Sequence, residues 1–204
     1  MSYWDHAKPV RRARAVDIDS LAEAALAVLD DGGTSALTLR AVAAALGVAP
    51  PSLYSRVESV DDLFDLALDR ALGCDQMLQA ALCEADTVAV MLALYRHLLR
   101  HPWACAVLGM RPPRGPNGLA FSERLVLQLR ESGACEPLLT AYALTNFVLG
   151  SATTAQAAAR EPAAVVDPSV APTYATLHER IDAAPESVLR SGISALLASS
   201  ATRG

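Results

Sequence analysis

Aromatic residues and paired cysteines are both scarce in this sequence, and each shortage limits the class of protein. Phe, Trp and Tyr make up 5% of the 204 residues, so alanine, leucine and valine must fill the core. The four cysteines Cys74, Cys83, Cys105 and Cys135 show no CxxC pair and no zinc-ligand spacing. The first twenty residues are charged and lack the apolar segment of a secretory signal. We therefore expect reduced, mostly buried thiols in a cytoplasmic protein.

Positive charge is also in short supply, and the net charge is −5. Residues 1–73 carry 7 Lys and Arg against 11 Asp and Glu, a net of −4. The exception is a basic arm near the N-terminus, in which Lys8, Arg11, Arg12 and Arg14 follow one another without an acid. A nucleic-acid contact would therefore use a small basic footprint and not a basic domain.

Abundant alanine, few glycines and almost no β-branched runs predict an all-α fold. The longest uncharged run, Pro137 to Ala159, contains Thr, Tyr, Asn and Gln residues, which favours a buried helix over a membrane span. Apolar periodicity and capping residues predict a helix capped by Asp17 or Asp19, a short helix capped by Thr38, and a helix opened by Ser59. Further helices are predicted at 86–100, 103–108, 119–131, 137–160, 173–183 and 186–199, with a loop at Arg111 to Gly118. A division near residues 73–75 gives two domains, 1–73 and 74–204.

Two short helices separated by Gly47-Val48, with a supporting helix on each side, indicate a helix-turn-helix, although any helical hairpin shares this spacing. The run LTLRAVAAALGVAPPSLYSRVESVDDLFD resembles the DNA-binding domain of the TetR family of bacterial transcription regulators. The segments LGMRP (108–112) and FVLG (147–150) resemble the tetracycline repressor branch of that family. The resemblance implies a three-helix DNA-binding domain followed by a helical domain for effector binding and dimerisation.

The consecutive prolines Pro50 and Pro51 can begin a recognition helix at low cost, because the first helical amides have no intrahelical partner. They would present a rigid apolar face to the major groove. The resemblance implies DNA contacts from eight residues, and for each of them a solvated surface position is the alternative. They are Thr38, Arg40, Pro50, Pro51, Ser52, Tyr54, Ser55 and Arg56. Val60 stands where family members commonly have a phosphate-binding lysine. We therefore expect a shallow salt dependence of DNA binding unless the basic arm contacts the DNA.

The long helix carries a polar stripe of Tyr142, Asn146, Gly150 and Thr153, which needs partners from the protein or from a ligand. The predicted effector site, with a structural core as the alternative, comprises Met91, Tyr95, His97, Trp103, Met110, Phe121, Tyr142, Asn146, Phe147 and Thr153. Val107 and Thr154 occupy the positions at which the tetracycline repressor has metal-holding His and Glu residues, and neither can ligate magnesium. The expected effector is therefore a neutral, mostly apolar molecule, without a metal or cofactor.

Small-residue stripes predict a homodimer through a four-helix interface, with burial inside a single subunit as the alternative. They are Val188, Gly192, Ala195 and Ser199 on one helix and Ala141, Val148, Ala152, Ala155 and Ala159 on the other. The predicted function is a homodimeric repressor of a palindromic operator, released by a small effector. An activator, or a regulator controlled by a protein partner, stays open as an alternative. A remote alternative is an all-helical enzyme using His97, His101 and Glu123, although the sequence shows no triad, metal cluster or phosphate loop.

Overall fold

The computed structural model describes residues 2–6, 16–84, 86–159, 166–178 and 184–201. All regular secondary structure in these ranges is helical, which confirms the predicted all-α class. The helices are α1 (Tyr3–His6), α2 (Ile18–Gly32), α3 (Leu39–Ala45), a 3₁₀ helix (Pro50–Ser55), α4 (Val60–Cys74), α5 (Gln76–Glu84), α6 (Thr87–Arg100), α7 (Pro102–Met110), α8 (Pro116–Glu131), α9 (Pro137–Ala158), α10 (Pro172–His178) and α11 (Pro185–Ala201). The predicted basic arm from Lys8 to Arg14 and the end of the helix predicted at 173–183 lie outside the described residues.

Helix starts follow the capping residues that the sequence identifies. The carboxylate of Asp17 and the hydroxyl of Thr38 accept first-turn amide hydrogen bonds at 2.9 and 3.0 Å. The hydroxyl of Ser59 accepts one at 3.2 Å and the carboxylate of Asp86 one at 2.8 Å. Each bond satisfies an amide that the helix itself leaves unpaired. Gly33 ends α2 with φ 69°, a left-handed conformation that glycine adopts without strain.

Two helical segments differ from the sequence predictions. The first is α5, which was not predicted and which follows α4 directly through Asp75. The second is the start of α8 at Pro116, inside the segment Arg111 to Gly118 that was predicted to be a loop. The N-cap Gly115 has no side chain, and the carboxylate of Asp69 on α4 accepts the first-turn amide bonds in its place. A cap supplied from another helix leaves no local signal in the sequence.

The buried apolar residues of the described chain form one continuous core. Around α4, the buried residues Leu21, Leu29, Val42, Leu53 and Leu63 hold α2, α3 and the 3₁₀ helix together in one unit, here called the head. The rest of the core surrounds α6, whose residues from Val90 to Tyr95 are all buried between its neighbours. Helices α5, α7, α8, α9 and α11 pack around α6, and α8 also packs on α4. Among the described helices, none is long and apolar enough to cross a membrane.

Burial corrects two sequence expectations. Cys74, Cys83 and Cys135 are exposed and only Cys105 is buried, so the thiols are not mostly buried. In the small-residue stripe of α9, Ala141, Val148 and Ala152 are buried in the subunit's own core, Ala155 is half-buried and Ala159 is exposed. The buried part of the stripe therefore packs within the subunit, because alanine periodicity does not distinguish an intramolecular from an intermolecular contact.

Candidate functional site

The turn between α3 and the 3₁₀ helix is a tight reversal built on Gly47. Its amide donates to the carbonyl of Ala44 at 3.1 Å, and the amide of Val48 donates to that of Ala43 at 3.0 Å. These paired bonds form a Schellman motif, in which Gly47 adopts φ 66°. The motif ends α3 sharply and sets the direction of the next helix.

The segment after the turn forms a 3₁₀ helix, where the sequence analysis expected an ordinary recognition helix. The amide of Ser52 donates to the carbonyl of Ala49 at 2.9 Å, and that of Arg56 donates to Leu53 at 2.8 Å, both three residues back. Pro50 and Pro51 lie at its first two positions and contribute no amide. Leu53 is fully buried in the head core, so one apolar side chain fixes this short helix against α4.

The predicted DNA-contact residues lie in two places on the head, with Thr38 and Arg40 at the start of α3 and the others on or just after the 3₁₀ helix. Exposed side chains are Thr38, Arg40, Pro50, Pro51, Ser52, Tyr54 and Ser55, whereas Arg56 is half-buried. The ring of Tyr54 is 61% exposed although its neighbour Leu53 is buried. The hydroxyl of Thr38 caps α3 as an acceptor and keeps its proton for an outside acceptor such as a phosphate. The hydroxyl of Ser55 donates to the carbonyl of Ser52 at 2.9 Å.

The chain is attached to the head on both sides of the basic arm. After the arm, the carbonyl of Val16 accepts from Arg56 Nε at 2.7 Å, so this guanidinium is held against the protein. Before the arm, Asp65 on α4 accepts from the hydroxyl of Ser2 at 2.7 Å and from the amide of Tyr3 at 2.8 Å. The residue after the arm is thus fixed next to the exposed 3₁₀ helix, and the residues before the arm are fixed to α4.

Buried polar groups join the head to the rest of the chain. Asp75, at the end of α4, accepts from His97 Nδ1 at 2.8 Å, from the amide of Leu78 at 3.1 Å and from Arg100. Burial acts to raise the pKa of Asp75, but these hydrogen bonds outweigh it and the pKa lies below its usual value. His97 is fully buried, and burial lowers its pKa despite the bond to Asp75. A second link joins Asp30 of α2 to the indole of Trp103 at 2.7 Å.

A cavity of about 250 Å³ lies between α4, α6, α8 and α9, and the end of α7 and the loop after it also line it. Its lining is mainly aliphatic, and none of the lining residues that the structure describes carries a charge. The polar members are Ser122, Tyr142, Thr145 and Asn146. The other members are Leu72, Leu94, Leu108, Pro113, Gly118, Phe121, Leu125, Val126, Leu138, Ala141 and Leu149. Such a site accepts an apolar molecule and offers hydroxyl and amide groups on one side.

The structure brings three of the ten predicted effector residues, Phe121, Tyr142 and Asn146, together at this cavity. The others lie elsewhere. Met91 and Tyr95 are buried in the core, His97 bonds to Asp75, and Trp103 bonds to Asp30. Met110 and Thr153 are exposed, and Phe147 packs against α11 at Gly192.

Most of the residues that line the cavity were not among the predicted effector residues. The polar stripe of α9 is the usable signal, because two of its members, Tyr142 and Asn146, line the cavity with Thr145 and Leu149 at helical spacing. The lining from α8 has no such signal. Its residues Ser122, Leu125 and Val126 form an ordinary amphipathic pattern, and only the packing of α8 on α4 shows which side faces the cavity.

A helix-turn-helix head on an all-helical body is the architecture of a DNA-binding regulator. Residues 21–67 match the model for bacterial regulatory proteins of the tetR family, and residues 84–179 match the tetracyclin repressor-like C-terminal domain. The chain therefore belongs to the TetR family, with an N-terminal helix-turn-helix domain and a helical C-terminal domain. This confirms the resemblance inferred from the sequence.

Two relatives share 35% of aligned residues with this chain. One is an HTH-type transcriptional regulator of Saccharopolyspora erythraea, aligned over 71% of this chain and 64% of its own length. The other is the HTH-type transcriptional repressor DrrR1 of Streptomyces coeruleorubidus, aligned over 73% of this chain and 58% of its own. The chain thus spans about three fifths of these relatives. Apo ActR of Streptomyces coelicolor has the same fold, with a TM-score of 0.75 at 22% identity over 93% of this chain and 97% of ActR.

Proposed function

We propose that this chain is a cytoplasmic, non-enzymatic transcriptional repressor that binds a near-palindromic operator as a homodimer and leaves it when a small effector binds. The observation that carries the proposal is the exposed 3₁₀ helix, Pro50–Ser55, fixed to the head by buried Leu53. Residues 1–73 act as the DNA-binding domain and residues 74–204 as the effector and dimerisation domain. The relative DrrR1 is named a repressor, which supports the sign of regulation.

DNA recognition combines a few hydrogen-bonding groups with an apolar surface. Arg40 and Tyr54 are exposed and suited to phosphate, whereas Ser52 and the two prolines face outward from the start of the 3₁₀ helix. The prolines remove two amide donors and leave a rigid apolar surface that suits a thymine methyl group. Replacing Pro51 with Ala is expected to relax base preference at one position of each half-site, and an unchanged preference would contradict this role.

The dimer is assigned to the outer faces of α9 and α11. Leu139, Ala143 and Gly150 are exposed on α9, and Val188 and Ala195 are exposed on α11. Helices with such small side chains approach closely, and two from each subunit form a four-helix contact. A twofold axis between them gives the dimer two recognition segments, which in this kind of protein read half-sites about 34–36 Å apart.

The effector is assigned to the cavity between α4, α6, α8 and α9. Its aliphatic lining excludes a strongly charged molecule, because a buried charge without a partner is unstable. The uncharged polar groups of Tyr142, Thr145 and Asn146 favour a molecule with hydroxyl or carbonyl groups at one edge. ActR, which has this fold, was solved in complex with actinorhodin, and this supports a small organic effector here.

Selection from a random duplex library with the purified protein, at two salt concentrations, tests the proposal. Enrichment of a near-palindrome with half-sites one helical turn apart is the expected result. Failure to enrich any sequence at low salt contradicts DNA recognition by this head. A reporter assay with the selected operator then distinguishes repression from activation, and enrichment of an asymmetric single site argues against the dimer.

A further inference from the structure

Three aspartates on one face of α4 hold the segment that precedes and begins α8. Asp61, Asp65 and Asp69 are spaced four residues apart, so they lie in one row along the helix. Arg111 pairs with Asp61 at 2.8 Å and with Asp65 at 3.1 Å. Asp69 Oδ1 accepts from the amides of residues 117 and 118 at 2.9 and 3.0 Å. Helix α4 of the head is therefore bonded over two turns to the C-terminal part of the chain.

The contact around Asp69 is packed without free space. Asp69 is 6% exposed, and its Oδ2 also accepts from Asn117 Nδ2 at 2.8 Å. A Cβ added at Gly115 would overlap the Asp69 carboxylate, and one at Gly73 would lie 2.6 Å from Asn117 Nδ2. Glycine on both sides lets α4 and the start of α8 approach this closely. A displacement of either segment is therefore transmitted to the other, because the two are hydrogen-bonded and in direct contact at Asp69.

The effector cavity touches both sides of this contact. Leu72, one turn after Asp69 on α4, lines the cavity. Gly118, whose amide donates to Asp69, lines the cavity from the other side, together with Pro113. A molecule that fills the cavity thus presses on α4 and on the start of α8 together.

We propose that Asp69 is the positioning residue that couples the cavity to the DNA-binding head. This inference rests on the proposed function, since it presumes that the cavity holds the effector. The three hydrogen bonds that Asp69 accepts make the start of α8 and α4 move as one body. Without them, the start of α8 shifts around a filled cavity while α4 and the 3₁₀ helix keep their positions. Coupling requires that the two ends share a bonded element with two arrangements.

The test fills the cavity with a side chain, so that no effector has to be known. Val126→Phe from α8 and, separately, Leu149→Phe from α9 add volume within the lining, and Glu123→Phe on the exposed side of α8 is the matched control. Each of these three substitutions is made in the natural chain and in the Asp69→Asn variant. Asparagine has the same shape as aspartate, but its side chain cannot accept all three hydrogen bonds. Gly115→Ala, which displaces the carboxylate without changing it, replaces Asp69→Asn if that variant does not fold. Thermal denaturation establishes that each variant is folded.

The first readout is hydrogen exchange of residues 39–57, which requires no DNA. The cavity-filling changes are expected to alter exchange there by about threefold or more with Asp69 present and to leave it unaltered in Asp69→Asn. The second readout is affinity for the selected operator, expected to fall about tenfold on filling with Asp69 and less than about threefold without it. If Asp69 had a purely structural role, Asp69→Asn would lower the operator affinity of the filled and the unfilled protein equally. The ratio of these two affinities would then stay the same.

Equal effects of filling in the two backgrounds overturn the inference, as does an absence of any effect at both Val126 and Leu149. If no operator is enriched, the proposed function fails, and hydrogen exchange still decides whether Asp69 couples the cavity to the head. If an operator is enriched but exchange and affinity respond identically in both backgrounds, the proposed function stands and the role of Asp69 is refuted.

Discussion

The salt dependence of operator binding measures how many cationic groups the head brings to DNA. Residues 16–74 contain three arginines. Arg70 pairs with Glu23 at 3.3 Å, and Arg56 donates to the Val16 carbonyl, so Arg40 is the exposed cation beside the 3₁₀ helix in this described range. A dimer contributes two such groups, and the slope of log K against log salt is about −0.9 per neutralised phosphate, or about −1.8 in total.

Replacing the four basic residues of the arm, Lys8, Arg11, Arg12 and Arg14, with alanine should therefore leave a slope near about −1.8. Between 50 and 200 mM salt, the affinity of this variant should fall by only about tenfold. If the arm contacts phosphates fully in the natural chain, ten groups per dimer give a slope near about −9 and a loss of about 10⁵-fold. Fluorescence anisotropy with the selected operator measures both slopes.

Adding Arg40→Gln to the arm variant should bring the slope close to zero, which makes Arg40 the internal control. A slope steeper than about −4 in the arm variant would refute the reasoning. It would require more than two additional phosphate contacts per dimer, which is more than Arg56, held at the Val16 carbonyl in each subunit, can supply. The DNA would then lie on another face of the described head.

Two further predictions concern stability. Gly192→Ala should destabilise the fold by about 1–3 kcal/mol in chemical denaturation, because its Cβ would lie 2.3 Å from the nearest atom of the Phe147 ring. Gly109→Ala, with open space around it, should be neutral or stabilising. Burial lowers the pKa of His97, so below about pH 6.5 the unfolded chain binds a proton that the folded chain does not bind. The contribution of His97 to stability is therefore complete above that pH and decreases as the pH falls. His97→Asn, which keeps a donor for Asp75, should lose less stability than the natural chain between pH 7 and pH 5 in thermal melts, and identical losses would contradict a buried neutral His97.

Local signals predicted the helices well because their causes are local. Asp17, Thr38, Ser59 and Asp86 cap the helices that they precede, through bonds within three residues. The start of α8 was misplaced because its cap comes from Asp69, 48 residues earlier in the chain. A sequence pattern records a helix's own capping residues and not those that tertiary packing supplies.

The candidate sites divide in the same way. The exposed stretch from Pro50 to Ser55 is continuous in sequence, so a motif could identify it as a unit. The cavity is assembled from separate helices, and each contributes only a few side chains from an ordinary amphipathic face. Trp103 and His97 were reasonable lining residues by type, but Asp30 and Asp75 bind them instead. The aromatic or polar character of these two residues did not indicate which other residue would be the hydrogen-bond partner of each.

The negative charge of the head, which counted against a nucleic-acid partner, has a structural explanation. Several of its acids already have partners within the protein. Asp65 binds the N-terminal segment and Arg111, Asp69 caps α8, and Asp30 binds His101 and Trp103. These acids lie on α2 and α4 where those helices meet the rest of the chain, whereas the exposed stretch from Pro50 to Ser55 contains no acid. Net charge summed over a domain is therefore a poor guide to its recognition surface. Here three of the acids that make up this charge join α2 and α4 to the rest of the chain.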